Sequence, residues 1–234
     1  MKYLILFLFC LFYGKNILAQ ALELPKEIVY YEAKEAVDEG PHYTVTTTFH
    51  PIGWSKDGKF AYAKFFDSYA DGLTLVVVVQ DVTSDKVIWS KEVYALVEDG
   101  EEQNLDHKGL WNKVKNSLEK ALITYKISHN QSIDYRKESW HRINGQAYKF
   151  ALTTNKKIQI DCRAKGLGEK NIYQQKISET DFEYSEIGAS VKGIIKSPYE
   201  DRVLVLYLIS QKGFEFATDE SFDLVGCHLT KGFK

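Results

Sequence analysis

The chain holds six histidines, at 42, 50, 107, 129, 141 and 228, the side chains best suited to moving protons near neutral pH. None sits in an H-E-x-x-H helix or an i, i+4 pair that would seat zinc, so no metal site is assigned. Ser117-Leu118-Glu119-Lys120 fits the S-x-x-K nucleophile signature, but S-D-N and K-T-G companions are missing and the match falls inside a helical pattern. Cys227 and His228 are neighbours on a strand pattern, and alternation sends them to opposite faces, which separates a thiol from its base. There is no G-x-S-x-G elbow, phosphate loop or dinucleotide fingerprint. No catalytic residue and no cofactor is therefore assigned. A hydrolase would have to assemble its site from scattered groups, with His50, His141 or His228 working beside Asp or Glu.

Two acidic stretches invite calcium: Glu98, Asp99, Glu101, Glu102 and Asp106, and the run Asp67 to Asp71. Neither has the D-x-[DN]-x-[DN]-G spacing that wraps the ion, and both read as solvated loops. Aromatic rings are more promising, because 15 Tyr and 4 Trp exceed what turns need, and an exposed ring face holds sugars and peptides. Trp111, Trp140, Tyr69 and Tyr199 fall at the edges or turns of expected elements and are the ligand-binding candidates, whereas Trp54 and Trp89 are assigned to the core. Cys162 continues the alternation of Ile158 and Ile160, and Cys227 lies between Val225 and Leu229, so both face an apolar interior. They are a candidate disulfide, whose closed loop would stabilise the fold by roughly 4 kcal/mol in the chain-entropy model. Two buried thiols that never meet are the alternative.

The elements that must carry these residues begin after a leader. Residues 1–21 join Lys2, an apolar run from Tyr3 to Tyr13 and small residues at Ala19 and Ala21, the pattern of a signal peptide cut after Ala19 or Ala21. Its apolar run is about half of the roughly 20 residues a membrane helix needs, so no membrane span is expected to persist after cleavage. Residues 22–234 are expected to be one β-rich domain, exported to the periplasm or secreted, where a disulfide could persist. Cleavage removes Lys2 and Lys15 and takes the formal charge from −2 to −4. With basic and acidic residues interleaved, that surface excludes nucleic acid as a partner.

Leu22 to Gly40 is polar and reads as an arm or an edge strand. Alternating β-branched and aromatic residues predict a strand from Tyr43 to Phe49, ended by Pro51 and Gly53, and another from Phe60 to Phe66. The unbroken valines of Leu73 to Val82 predict a central strand covered on both faces, with Val87 to Tyr94 completing an antiparallel meander. Leu110, Val114, Leu118, Ala121, Leu122 and Tyr125 recur at helical spacing, so Leu110 to Ile127 is expected to lie on the sheet, capped by Asp106. Asn144-Gly145 predicts a type I′ turn between strands at Asp134 to Ile143 and Gln146 to Thr153. Strands follow at Lys157 to Arg163, near 171 to 177 and 182 to 195, and at Val203 to Ser210 and Ser221 to Leu229.

One corner carries a resemblance. Trp54-Ser55-Lys56-Asp57-Gly58-Lys59-Phe60-Ala61-Tyr62 resembles the W-S-P-D-G-K-x-I-A-Y segment of TolB-like and related propeller repeats, with Lys56 in place of proline. In that family the Asp and Gly make a tight turn before an inner blade strand. A propeller needs typically 4 to 8 blades, and only residues 194 to 208, with Ser197-Pro198 and Glu200-Asp201-Arg202 before a strand, echo it. The fold expected is α+β, mostly antiparallel hairpins and meanders with one amphipathic helix on the sheet, and a small degenerate propeller is the alternative. As a whole the chain also resembles uncharacterised exported bacterial proteins, in its early G-W-S-x-D-G-K-F-A-Y and closing L-V-G-C-H-L-T-K-G-F segments. The function expected is non-catalytic binding of a protein or glycan partner in the envelope or outside it.

Overall fold

The computed structural model describes residues 22–35, 43–68, 72–95, 106–129, 131–177, 186–212 and 218–234. The expected leader at residues 1–21, Tyr69 and most of both acidic loops lie outside them. The first sheet is the expected meander, with β1 (Val29–Glu35), β2 (Tyr43–Ser55), β3 (Lys59–Ser68), β4 (Gly72–Asp81) and β5 (Lys86–Ala95) antiparallel in that order. The segment from Leu22 thus supplies an edge strand. A short β6 (Ile127–Ser128) pairs with the end of β2. Between β5 and β6 runs the helix α1 (His107–Thr124), whose start Asp106 caps by accepting from Gly109 N at 2.7 Å.

The later strands form two further antiparallel sheets. A middle sheet orders β14 (Thr218–His228), β13 (Arg202–Lys212), β12 (Glu186–Lys196) and β7 (Asp134–Arg136). An outer sheet orders β11 (Gly168–Lys176), β10 (Lys157–Ala164), β9 (Gln146–Thr154) and β8 (Trp140–Ile143). Among the described residues the strands close into neither a barrel nor a propeller, and no helix is long and apolar enough to cross a membrane.

Three apolar layers explain the order helix, first sheet, middle sheet, outer sheet. Leu110, Val114, Leu118 and Leu122 of α1 pack on Ala61, Ala63, Leu75, Val77 and Val79, where the two alanines let the helix approach. Burying each such leucine or valine contributes roughly 1.5–3 kcal/mol. The opposite face of the first sheet, with Phe49, Trp54, Phe60, Tyr62 and Val78, meets Leu204, Leu206, Leu208, Phe222 and Leu224 of the middle sheet. The far side of the middle sheet, with Val203, Val205, Tyr207, Val225 and Cys227, meets Tyr148, Phe150, Ile160 and Cys162 of the outer sheet. The continuous apolar runs of β4 and β13 follow from burial on both faces.

Three expectations on elements are corrected. The strand expected over Tyr43 to Phe49, ended by Pro51 and Gly53, continues to Ser55, because an extra residue, Ile52, bulges out of register between Pro51 and Gly53. The bulge turns Trp54 to the same face as Phe49, where its ring lies 4.7 Å from Phe60. The strand expected over Asp134 to Ile143 is two strands in different sheets, since the chain crosses from the middle to the outer sheet between Arg136 and Trp140. Arg136 Nη1 spans the crossing to Arg142 O at 3.0 Å. The helix runs one turn earlier than its apolar spacing suggested. The Asn144-Gly145 turn has the positive φ angles expected of it, 50° and 82°.

The edge of β14 is closed by side chains of the first sheet. Lys64 Nζ donates to Phe222 O at 2.9 Å, Gln80 Nε2 to Leu224 O at 3.1 Å, and Gly226 N donates to Asp85 Oδ1 at 2.6 Å. Gly226 sits so close to the β4–β5 turn that an added Cβ would lie 2.1 Å from Val82 O. Gly226→Ala should therefore cost about 3 kcal/mol in urea unfolding. Gly188→Ala, whose new carbon meets nothing nearer than 3.8 Å, should shift stability by no more than about 0.5 kcal/mol.

Candidate functional site

His50, His141 and His228 do not converge. His50 is buried on β2, against Phe65 at 5.2 Å, with Nδ1 2.7 Å from Pro25 O and Nε2 2.9 Å from Thr48 Oγ1. A carbonyl only accepts, so Nδ1 carries the proton and Nε2 receives the Thr48 hydroxyl, which leaves the neutral ring with both nitrogens bonded. His141 is buried in the outer sheet and bonds Glu138 O through Nε2. His228 ends β14, its Nδ1 accepting from Thr230 N at 3.3 Å. The three stand in three different sheets. Burial lowers the pKa of each, first among the causes in every case.

Ser117, the serine of S-x-x-K, donates to Val114 O at 2.7 Å and accepts from Lys91 Nζ at 3.0 Å, which ties α1 to β5. Trp111 is corrected from exposed to buried: it is 2 % exposed and its Nε1 donates to Leu22 O at 3.3 Å. The earlier helix start, at His107, places it on the apolar stripe, one position beyond Leu110. Trp54 is core as expected and Trp89 packs partly buried against the helix layer.

Two of the four aromatic candidates remain on the surface. Trp140 is 52 % exposed on β8, the edge of the outer sheet, and Tyr199 is 37 % exposed in the turn between β12 and β13. Tyr199 Oη is held by Gln131 Nε2, and Asn144 Nδ2 of the β8–β9 turn donates to Asp201 Oδ1 at 3.2 Å, so the two supporting elements are tied together. The propeller-like corner and its echo also meet: Arg202 Nη1 donates to Val82 O at 3.2 Å, and a Cβ on Gly58 would approach Glu200 Oε1 to 3.3 Å. Within the corner, the Ser55 hydroxyl accepts from Lys59 N at 2.8 Å, and Lys59 beside Asp57 holds that carboxyl down to about 2.

A second polar group escaped sequence reading. Glu220, 6 % exposed, accepts from Ser210 Oγ at 3.3 Å, and Lys192 Nζ lies 4.8 Å over the ring of Tyr31. Burial pulls the Lys192 pKa below the ordinary lysine value against the opposing pull of Glu220, and burial raises the Tyr31 hydroxyl, with Glu220 adding to it. The residues come from β1, β12, β13 and β14, whose pairing no local pattern announces. Lys192 is turned toward Tyr31 by a bulge between Val191 and Gly193.

Cys162 and Cys227 face one another across the outer and middle sheets as free thiols 3.8 Å apart. The two thiols that face the interior do meet. Contact with Cys227 and burial raise the pKa of the Cys162 thiol, while contact with Cys162, aided by the Lys170 ammonium and opposed by burial, lowers that of Cys227. Among the described residues, no group of three or more His, Cys, Asp or Glu is placed to hold a metal ion. Comparison with known proteins yields no matching family model, no similar curated protein and no similar solved structure.

The His50 geometry sets a pH dependence. Its folded pKa lies below the unfolded value, so the unfolded chain binds the proton more readily. The contribution of His50 is full above about pH 6.5 and is lost as pH falls through the depressed folded value. His50→Gln should flatten the change in urea midpoint between pH 8 and pH 5.

Proposed function

We propose that this protein is an exported, non-catalytic module that binds a protein or glycan partner in the envelope or outside it. The observation that carries the reading is Trp140: a large aromatic ring left half in water on an edge strand, in a chain that buries Trp54 and Trp111 almost completely. An exposed indole has an apolar face for a sugar ring or an apolar side chain and an N–H for a polar neighbour. Tyr199, on the turn between β12 and β13, offers a second exposed ring already fixed by Gln131. Aromatic anchors held by a strand or a tied turn lose little conformational freedom on binding. The leader pattern supports the export.

The test is retention of a partner from envelope extract on the immobilised chain beginning at Leu22, with a glycan array beside it. A saturable partner in either is expected. Trp140→Ala should weaken it tenfold or more, since a central aromatic anchor is worth above 1.4 kcal/mol. The same variant should unfold within about 0.5 kcal/mol of the parent, as an exposed site allows. A blank result in both formats would overturn the reading.

Tyr31, Lys192, Ser210 and Glu220 favour a second reading, a hydrolase, because a buried carboxylate near a lysine of depressed pKa is an arrangement that catalytic sites share. It predicts turnover of activated ester or glycoside substrates that Lys192→Met abolishes. Identical background rates for parent and variant would remove it.

A further inference from the structure

We propose that Cys162 and Cys227 form a redox-active dithiol, in which Cys227 attacks a partner disulfide, Cys162 resolves it, and the strap Thr230–Lys234 controls access. The two thiols are 0 % and 1 % exposed and 3.8 Å apart, close enough for one sulfur to reach the other by side-chain rotation. They belong to different sheets, β10 and β14, so the pair is made by tertiary packing and not by a turn.

Lys170 organises the site. It is the register partner of Cys162 on β11 and so shares its face. Its ammonium donates to His228 O and, at 2.7 Å, to Lys231 O, and lies 4.4 Å over the ring of Phe233. Phe233 in turn packs against the apolar layer that contains both cysteines. Lys234 lies beside β11, exchanging backbone bonds with Glu169 at 3.2 and 3.3 Å. One lysine thus carries the positive charge beside the pair and fastens the segment that covers it. His228, the sequence neighbour of Cys227, is engaged with Thr230 instead.

The chemistry balances with a disulfide of general form R–S–S–R as oxidant. The Cys227 thiolate attacks one sulfur, forms Cys227–S–S–R and releases R–S⁻, which takes a proton. Cys162 then loses its proton and attacks Cys227 Sγ, expelling the second R–S⁻ and leaving the Cys162–Cys227 disulfide. Two thiols are oxidised and one disulfide is reduced to two thiols. Contact with Cys162 and Lys170 favours the thiolate on Cys227, which suits it to the first step.

The experiment incubates the folded chain beginning at Leu22, which omits Cys10, with glutathione disulfide and, after quenching, counts alkylated thiols under denaturing conditions by intact mass. The parent should lose both alkylatable thiols together, and Phe233→Ala, which loosens the strap, should do so at least tenfold faster. Cys162→Ser should accumulate one glutathione adduct and Cys227→Ser none. Circular dichroism shows whether each variant is folded, and the parent alone still decides if one is not. Two thiols retained in the folded parent and in Phe233→Ala would overturn the proposal. So would equal rates for the two, or adducts on Cys162 alone.

Discussion

The interior edge of β14 is the constraint on which the remaining architecture depends. A sheet covered on both faces cannot leave the backbone groups of an edge strand facing apolar neighbours, since each one unmet costs about 1–3 kcal/mol. Here Lys64, Gln80 and Asp85 reach from the first sheet to Phe222 O, Leu224 O and Gly226 N. These polar residues stand in or beside strands otherwise rich in valine and phenylalanine. Their role fixes how the first sheet meets the middle one, and with it the layer that buries Trp54, Phe60, Leu204 and Phe222. Gly226 completes the arrangement because only a residue without Cβ lets β14 lie against Val82 O.

Once that contact is made, the remaining chemistry is distributed by layer. His50 and Ser117 are held within the helix side of the molecule by bonds to backbone and to Lys91. Glu220 and Lys192 gather at the join of the first and middle sheets, and the two thiols at the join of the middle and outer sheets. Of the exposed rings, Trp140 stands on β8 and Tyr199 on the turn at Pro198. Interior polar groups here connect sheets, whereas groups able to meet a partner sit on the rim, where backbone is already satisfied by neighbouring turns.

Bulges decide more of this distribution than strand composition does. An extra residue at Ile52 turns Trp54 inward, and one before Gly193 brings Lys192 over Tyr31. A single inserted residue reverses the facing of everything after it, so a pattern of period two read across the bulge fails. β2 was expected to end after Phe49 because of Pro51 and Gly53, yet it runs on to Ser55. Proline lacks an N–H, yet it is tolerated there because the ladder is already irregular.

By itself, the sequence determined the elements whose signal is local. The meander from β2 to β5, the Asp106 cap, the Asn144-Gly145 turn and the double burial of the valine strand β4 follow from periodicity, capping chemistry and the φ angles that Asn and Gly tolerate. Trp140 and Tyr199 were legible as exposed because they stand at element edges, and Trp111 was misplaced because helix ends fray by a turn in any such reading. The tertiary structure alone decided the division of the strands into three sheets, the cover of β14 by side chains from more than a hundred residues away, and the meeting of Cys162 with Cys227. Those outcomes depend on which faces find each other, and alternation records that a residue is buried without recording what it is buried against.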